Sequence, residues 1–110
     1  MVEETITQIE ERIKKAGSLN DEKRKELLNL LSTLKTEVSK LSKTHAEQTQ
    51  SITAFTHVSI HEAMREEKNP QLLKLSLEGL STSVEGFETS HPKLVGIVNS
   101  ICQILSNIGI

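Results

Sequence analysis

Residues 27–55 carry the longest regular pattern of the chain, LLNLLSTLKTEVSKLSKTHAEQTQSITAF. The positions of one stripe recur at alternating steps of four and three residues, and seven of its nine members are apolar. This is the period of an α-helix rather than that of a β-strand. The stripe consists of Leu27, Leu31, Leu34, Val38, Leu41, His45, Gln48, Ile52 and Phe55. The stretch therefore predicts an all-α fold.

The same stretch predicts a long, coiled-coil-like second helix. No Gly or Pro lies between Gly17 and Pro70. A helix from residue 21 to residue 66 would therefore extend roughly 70 Å. The narrow seam after Leu34 is typical of a two-stranded helical contact. Residues 42–53 are rich in Ser, Thr and Gln, which are mediocre helix formers, so a break near residues 42–50 stays an alternative.

A shorter helix is expected before the long one. Apolar residues follow one stripe from Val2 to Ala16. Gly17 suits the end of that helix, because glycine adopts the left-handed backbone conformation at little cost. Asn20 has the side chain of an N-cap for the next helix. Residues 1–66 are therefore expected to form an N-terminal helical hairpin.

A second hairpin is expected over residues 67–110. Asn69 followed by Pro70 indicates the start of a helix, whose apolar stripe runs from Leu73 to Phe87. Gly79 and Gly86 are either tolerated surface residues or the site of a close helix approach. His91 before Pro92 marks the start of a last helix. That helix is uncharged from Leu94 onwards and is expected to end at Gly109. The two hairpins make a four-helix arrangement in a single domain, residues 1–110.

The composition excludes several classes of protein. The chain has 13 Lys and Arg against 15 Asp and Glu, two Phe, and no Trp or Tyr, so it lacks the basic surface and stacking rings of nucleic-acid binders. One cysteine excludes a disulfide framework. Neither a membrane-spanning stretch nor a signal peptide is recognisable. We therefore expect a cytoplasmic protein that binds no nucleic acid and no membrane.

Few residues have the type and spacing of a catalytic or metal-binding site. His57 and His61 are four apart on one helix face and are weak candidates for a zinc site, which would need further ligands. Ser59, His61 and Glu62 are the residue types of a triad, but on a helix they point in different directions. Glu62 and Arg65 are spaced for an ion pair. We expect no enzyme, no catalytic residue and no cofactor.

Two stretches resemble a known family. They are FTHVSIHEAMREEKNPQLL, residues 55–73, and SVEGFETSHPKLVGIVNSICQILSNIGI, residues 83–110, with GFETSHPKLVGIVNSICQILSNIGI as the most specific part. They resemble the DUF4404-like family of small bacterial domains of unknown function. The resemblance implies a short, cytoplasmic, helical bacterial protein. It implies no activity, substrate or partner.

The sequence favours a homo-oligomeric interaction or scaffold protein, with a dimer as the simplest form. The narrow seam of the long helix needs a partner helix, and the uncharged last helix needs burial on several sides. A polar pair within the seam, His45 and Gln48, is typical of residues that fix helix register. The expected interface residues are Leu34, Val38, Leu41, His45, Gln48, Ile52, Phe55, Val98, Ile101, Leu105 and Ile108. An unidentified protein partner and a monomeric bundle that binds a small ligand or metal near His57 and His61 remain alternatives.

Overall fold

The computed structural model describes residues 2–108 of the chain. This part of the chain forms five helices: α1 (Val2–Lys15), α2 (Asp21–Leu41), α3 (Ala46–Met64), α4 (Pro70–Ser83) and α5 (Pro92–Ile108). No strand occurs in these residues, so the predicted all-α fold is confirmed. None of the five helices is both long enough and apolar enough to cross a membrane. The helix end expected at Gly109 lies outside the described residues.

The prediction of a single long helix over residues 21–66 is wrong, because the helix is interrupted between Leu41 and Ala46. At the break, Ser42 Oγ donates to the Ser39 carbonyl at 2.9 Å and Thr44 Oγ1 donates to the Leu41 carbonyl at 3.4 Å. Such local hydrogen bonds compete with continuation of a helix. Five helices therefore replace the expected four, and the break falls in the segment that its composition marked as weak.

Two predicted helix starts are confirmed. The Asn20 side chain accepts a hydrogen bond from the Lys23 amide at 2.8 Å, and Asn69 accepts one from the Leu72 amide at 3.1 Å. Pro70 is the first residue of α4. Both asparagines satisfy backbone donors that the first turn of a helix leaves unpaired.

The helix that begins at Pro70 is shorter than its apolar stripe predicts. α4 ends at Ser83, so Val84 and Phe87 lie in the following turn, where both are nevertheless buried. Gly86 has a φ of 97°, a conformation that glycine adopts without strain. Gly79 and Gly86 therefore do not share a helix face, and only Gly79 lies within α4.

The first three helices contact one another, and side-chain contacts show their relative directions. The ion pair between Lys35 Nζ and Glu10 Oε1, 2.7 Å long, joins the second half of α2 to the middle of α1. Arg24, at the start of α2, reaches the Ile13 carbonyl near the end of α1. α1 and α2 are therefore antiparallel. Arg12 contacts His61 near the ends of α1 and α3, and Val2 and Thr53, nearer the starts of these helices, line one cavity. α3 therefore runs parallel to α1.

α5 packs against helices from both halves of the chain. It contacts α2, α3 and α4. The side chains that it buries are Leu94, Ile97, Val98, Ile101, Ile104 and Leu105. The predicted burial of this uncharged helix on several sides is confirmed. The covering helices belong to the same chain, because the break at residues 42–45 produces two shorter helices that both reach α5.

Candidate functional site

The hairpin of α3 and α4 has an unusual distribution of side chains, because much of its buried side is polar. The buried hydroxyl-bearing residues are Thr49, Thr53, Thr56 and Ser59 on α3 and Ser76 on α4. Three of them donate to carbonyls of their own helix; the Oγ atoms of Thr53 and Ser59 have no hydrogen-bond partner in the described chain. An unsatisfied buried hydroxyl costs about 1–3 kcal/mol. The hydroxyls of Thr53 and Ser59 therefore reduce the stability that burial of this side of the hairpin provides.

Large apolar side chains lie on the outer side of the same hairpin. Phe55 is 39% exposed and Val58 is 45% exposed on α3, while Leu72 is 42% exposed and Leu75 is 54% exposed on α4. We call these four residues the α3–α4 face. Exposed apolar patches with a polar border are typical of interaction sites.

The Phe55 ring lies directly over Gly79, which aligns the two helices. A Cβ atom added to Gly79 would overlap three atoms of the ring. Val58 is one turn from Phe55 towards the connecting loop, and Leu75 is one turn from Gly79 towards the same loop. The α3–α4 face is therefore a continuous strip along the hairpin. The sequence left Gly79 as either a tolerated surface residue or the site of a close helix approach. The contact with the Phe55 ring favours the close approach.

The contact between Phe55 and Gly79 predicts a coupled response to substitution. Gly79→Ala is expected to raise the free energy of unfolding by about 1 kcal/mol in a Phe55→Ala background, because alanine is the better helix former. In the wild-type background the displaced ring should cancel part or all of this gain, with a coupling of about 0.5–3 kcal/mol. Urea unfolding of the four proteins of this cycle, followed by circular dichroism, measures both values. Equal effects of Gly79→Ala in the two backgrounds would contradict the contact.

Charged residues border the α3–α4 face. At its loop end, the predicted pair of Glu62 and Arg65 is confirmed, with 2.8 Å between Glu62 Oε1 and Arg65 Nη1. On α4, Lys74 and Glu78 are exposed beside Leu75. Neither of them has an ion-pair partner within residues 2–108. The border thus combines both signs of charge.

Most of the residues expected at an interface lie inside this chain's own core. The seven fully or almost fully buried ones are Leu34, Val38, Leu41, Ile52, Val98, Ile101 and Leu105. Ile108 is partly buried, Gln48 is exposed and His45 is half-buried at the break before α3. Phe55 is the single member of the expected set that belongs to the α3–α4 face. The other three residues of this face, Val58, Leu72 and Leu75, were not among the predicted interface residues.

The two weak metal candidates have different neighbours on α1. His61 Nδ1 accepts a hydrogen bond from Arg12 Nη1 at 3.1 Å. His57 lines a cavity of about 400 Å³ between α1 and α3, together with Val2 and Thr53 among others. Within residues 2–108, no group of three or more His, Cys, Asp or Glu side chains is arranged to hold a metal ion.

The other two histidines pack around one aromatic ring. The Phe87 ring meets His45 at a centroid distance of 5.6 Å and His91 at 5.4 Å, both edge to face. The Nδ1 atoms are hydrogen-bonded to Thr44 Oγ1 at 2.7 Å and to Ser90 Oγ at 2.9 Å. Each histidine immediately precedes a helix, α3 or α5. This cluster joins the break after α2 to the turn between α4 and α5.

Cys102 lies in a groove between α4 and α5 with a volume of about 590 Å³. Its Sγ atom is 3.9 Å from the Leu77 carbonyl, and Leu73 and Leu77 form part of the wall. Burial raises the pKa of the Cys102 thiol above its ordinary value. A raised thiol pKa disfavours the reactive thiolate, so the groove gives this cysteine the environment of a small apolar residue.

The raised pKa of Cys102 predicts a loss of stability at alkaline pH. The folded chain holds the thiol proton more tightly than the unfolded chain. The contribution is therefore complete below the ordinary thiol pKa of about 8.5 and is lost as the pH rises above it. Urea unfolding at neutral pH and at about pH 10 should show a smaller drop in stability for Cys102→Ala than for the wild type. An equal drop in both proteins would show that the thiol does not contribute.

The structure thus defines an all-helical domain with an exposed apolar face on its central hairpin. The sequence matches the family described as Domain of unknown function (DUF4404) over residues 27–110. The match covers more than half of the chain, and the chain belongs to this family. No curated protein and no solved structure matches it. The α3–α4 face, the histidine cluster and the α4–α5 groove all lie within the matched residues.

Proposed function

We propose that this protein is an interaction module that associates with itself, as a homo-oligomer whose simplest form is a dimer. The observation that carries the proposal is the α3–α4 face. Large apolar side chains point outward from a hairpin whose inner side buries Thr and Ser. Covering that face would remove apolar surface from water, and the hydrophobic effect is the main driving force of most protein–protein association.

The proposed surface differs from the seam that the sequence favoured. The seam residues of α2 and α5 are covered by neighbouring helices of the same chain. Self-association through them would require the folded chain to open. The α3–α4 face needs no such opening, because its four side chains are already 39–54% exposed. The proposal includes no catalytic step, cofactor or nucleic acid, and it has the cytoplasm as its compartment, as the sequence favours.

Co-purification of two differently tagged copies tests this function. Two copies of the full chain with different N-terminal tags would be expressed together, and capture through one tag is expected to recover the other. Val58→Glu in both copies should reduce the recovery strongly, because it adds a carboxylate to the α3–α4 face. Gln8→Glu adds the same charge to the exposed side of α1 and should leave recovery unchanged. Absence of the second copy from the wild-type capture would contradict the proposed function.

A further inference from the structure

The apolar and charged side chains on the exposed side of α4 are arranged so that the same surface of a second copy complements them. From Leu75, the apolar side chains Leu72 and Phe55 lie towards α3, whereas Lys74 and Glu78 lie on the opposite side, towards the α4–α5 groove. Lys74 and Glu78 have opposite charges, are one helical turn apart, and have no ion-pair partner in the described chain.

We propose that two copies of this chain dock antiparallel through α4, with Leu75 against Leu75 and two reciprocal ion pairs between Lys74 of one copy and Glu78 of the other. This inference rests on the proposed self-association and specifies its geometry. A two-fold axis perpendicular to both α4 helices reverses the chain direction but keeps each side of the helix on the same side of the contact. With the axis near residue 76, midway between Lys74 and Glu78, each lysine lies level with the glutamate of the second copy.

The same axis also brings the apolar sides of the two hairpins together. Phe55 and Val58 of one copy then lie on the same side as Phe55 and Val58 of the other. The exposed parts of the α3–α4 face amount to roughly 300 Å² per copy, whereas a standard interface buries about 800 Å² per partner. These four side chains already come from both helices of each hairpin, so the rest of the buried area comes from the polar border. The contact is an intermolecular four-helix bundle of small area. We expect a reversible dimer with a dissociation constant in the micromolar range.

The charges of the border favour a second copy over a membrane surface. Helices that bind membranes have a polar border rich in Lys and Arg. Here Lys74 and Arg65 alternate with Glu78 and Glu62. A mixed border is matched by a surface with the same mixture in reversed order, which an antiparallel copy supplies.

Charge reversal tests this geometry. Sedimentation equilibrium would give the dissociation constants of the wild type, Lys74→Glu, Glu78→Lys and the double variant. Each single reversal replaces both ion pairs by like-charge contacts and is expected to weaken the dimer about tenfold or more. The double variant restores both pairs in exchanged form and should return to within about threefold of the wild type. Lys25→Glu, on the exposed side of α2, is the control and should have no effect.

The outcomes separate this inference from the proposed function. A wild-type chain that stays monomeric at all concentrations would overturn both. A wild-type dimer that neither single reversal weakens would overturn the antiparallel α4 contact and retain self-association through another surface. A double variant as weak as the single variants would also overturn the reciprocal pairs, since the charges would then act without pairing to each other. Circular dichroism of each variant confirms that the fold is retained.

Discussion

Replacing Phe87 by alanine is expected to lower the free energy of unfolding by about 3–5 kcal/mol. Phe87 is almost fully buried, and its ring is the centre of the cluster with His45 and His91. Removal of the ring would leave a cavity where the break after α2 meets the turn before α5. Because small domains are stable by about 5–15 kcal/mol in total, the loss should be visible as a large shift of the urea midpoint.

The second phenylalanine of the chain provides the matched control. Phe55 is 39% exposed, so Phe55→Ala removes much less buried surface and is expected to cost under about 2 kcal/mol. Both variants would be followed by circular dichroism at neutral pH. A Phe87→Ala variant that is no less stable than Phe55→Ala would show that the cluster does not hold the two turns together.

Replacing Arg24 by methionine is expected to cost about 2–3 kcal/mol. The last carbonyls of a helix have no partner within the helix, and Arg24 supplies donors at the end of α1. Its guanidinium donates to the carbonyls of Ile13 at 3.3 Å, Ala16 at 2.5 Å and Leu19 at 2.9 Å. It also pairs with Asp21 at 2.7 Å. Methionine retains an unbranched apolar side chain but leaves these carbonyls without the charged donor.

Two controls separate the hydrogen bonds of Arg24 from its charge. Arg24→Lys keeps the charge but lacks the planar set of donors, so it should restore only part of the stability. Lys25→Met removes a charge from the exposed neighbouring residue and is expected to change stability by no more than about 0.5 kcal/mol. If Arg24→Met proved as mild as Lys25→Met, the end of α1 would not depend on this side chain.

Local chemistry in the sequence was sufficient to predict where most helices begin. Asn20, Asn69 and Pro70 act within their own turns, so their role does not depend on distant residues. The break after Leu41 involves both local and distant residues. The apolar stripe from Leu27 to Phe55 stays in phase across it, and His45 packs against Phe87, which is remote in the sequence. Hydroxyl-rich composition indicated a weak point, where Ser42 and Thr44 bond to carbonyls of α2. The contact between His45 and Phe87 adds a tertiary interaction that the sequence pattern does not reveal.

The same break explains why the predicted seam is buried. The sequence pattern predicted that a second copy buries α5, since four helices with a long exposed seam would not cover it. In the structure α2 and α3 are separate and both contact α5, so Leu34, Ile52 and Ile101 are buried within one chain.

The exposed apolar residues of α4 can be recognised from its leucine content. α4 carries leucines at five positions, Leu72, Leu73, Leu75, Leu77 and Leu80. One face of a helix cannot accommodate them all. Leu73 and Leu80 enter the core, whereas Leu72 and Leu75 are left on the outer side. An excess of large apolar residues over what one face can bury thus predicts an exposed patch. The contact of Phe55 with Gly79 across the hairpin could not be predicted in this way, because it joins two different helices.

Cross-linking at the centre of the proposed contact tests self-association through α4 most directly. In a Cys102→Ala background, Leu75→Cys would carry the single thiol of the chain next to the two-fold axis. Mild oxidation of the folded protein is expected to produce a disulfide-linked dimer that a reductant returns to monomer. Glu22→Cys, exposed at the start of α2, is the control in the same background. Rapid dimer formation by Leu75→Cys alone is the predicted result, and equal rates for the two variants would contradict the contact.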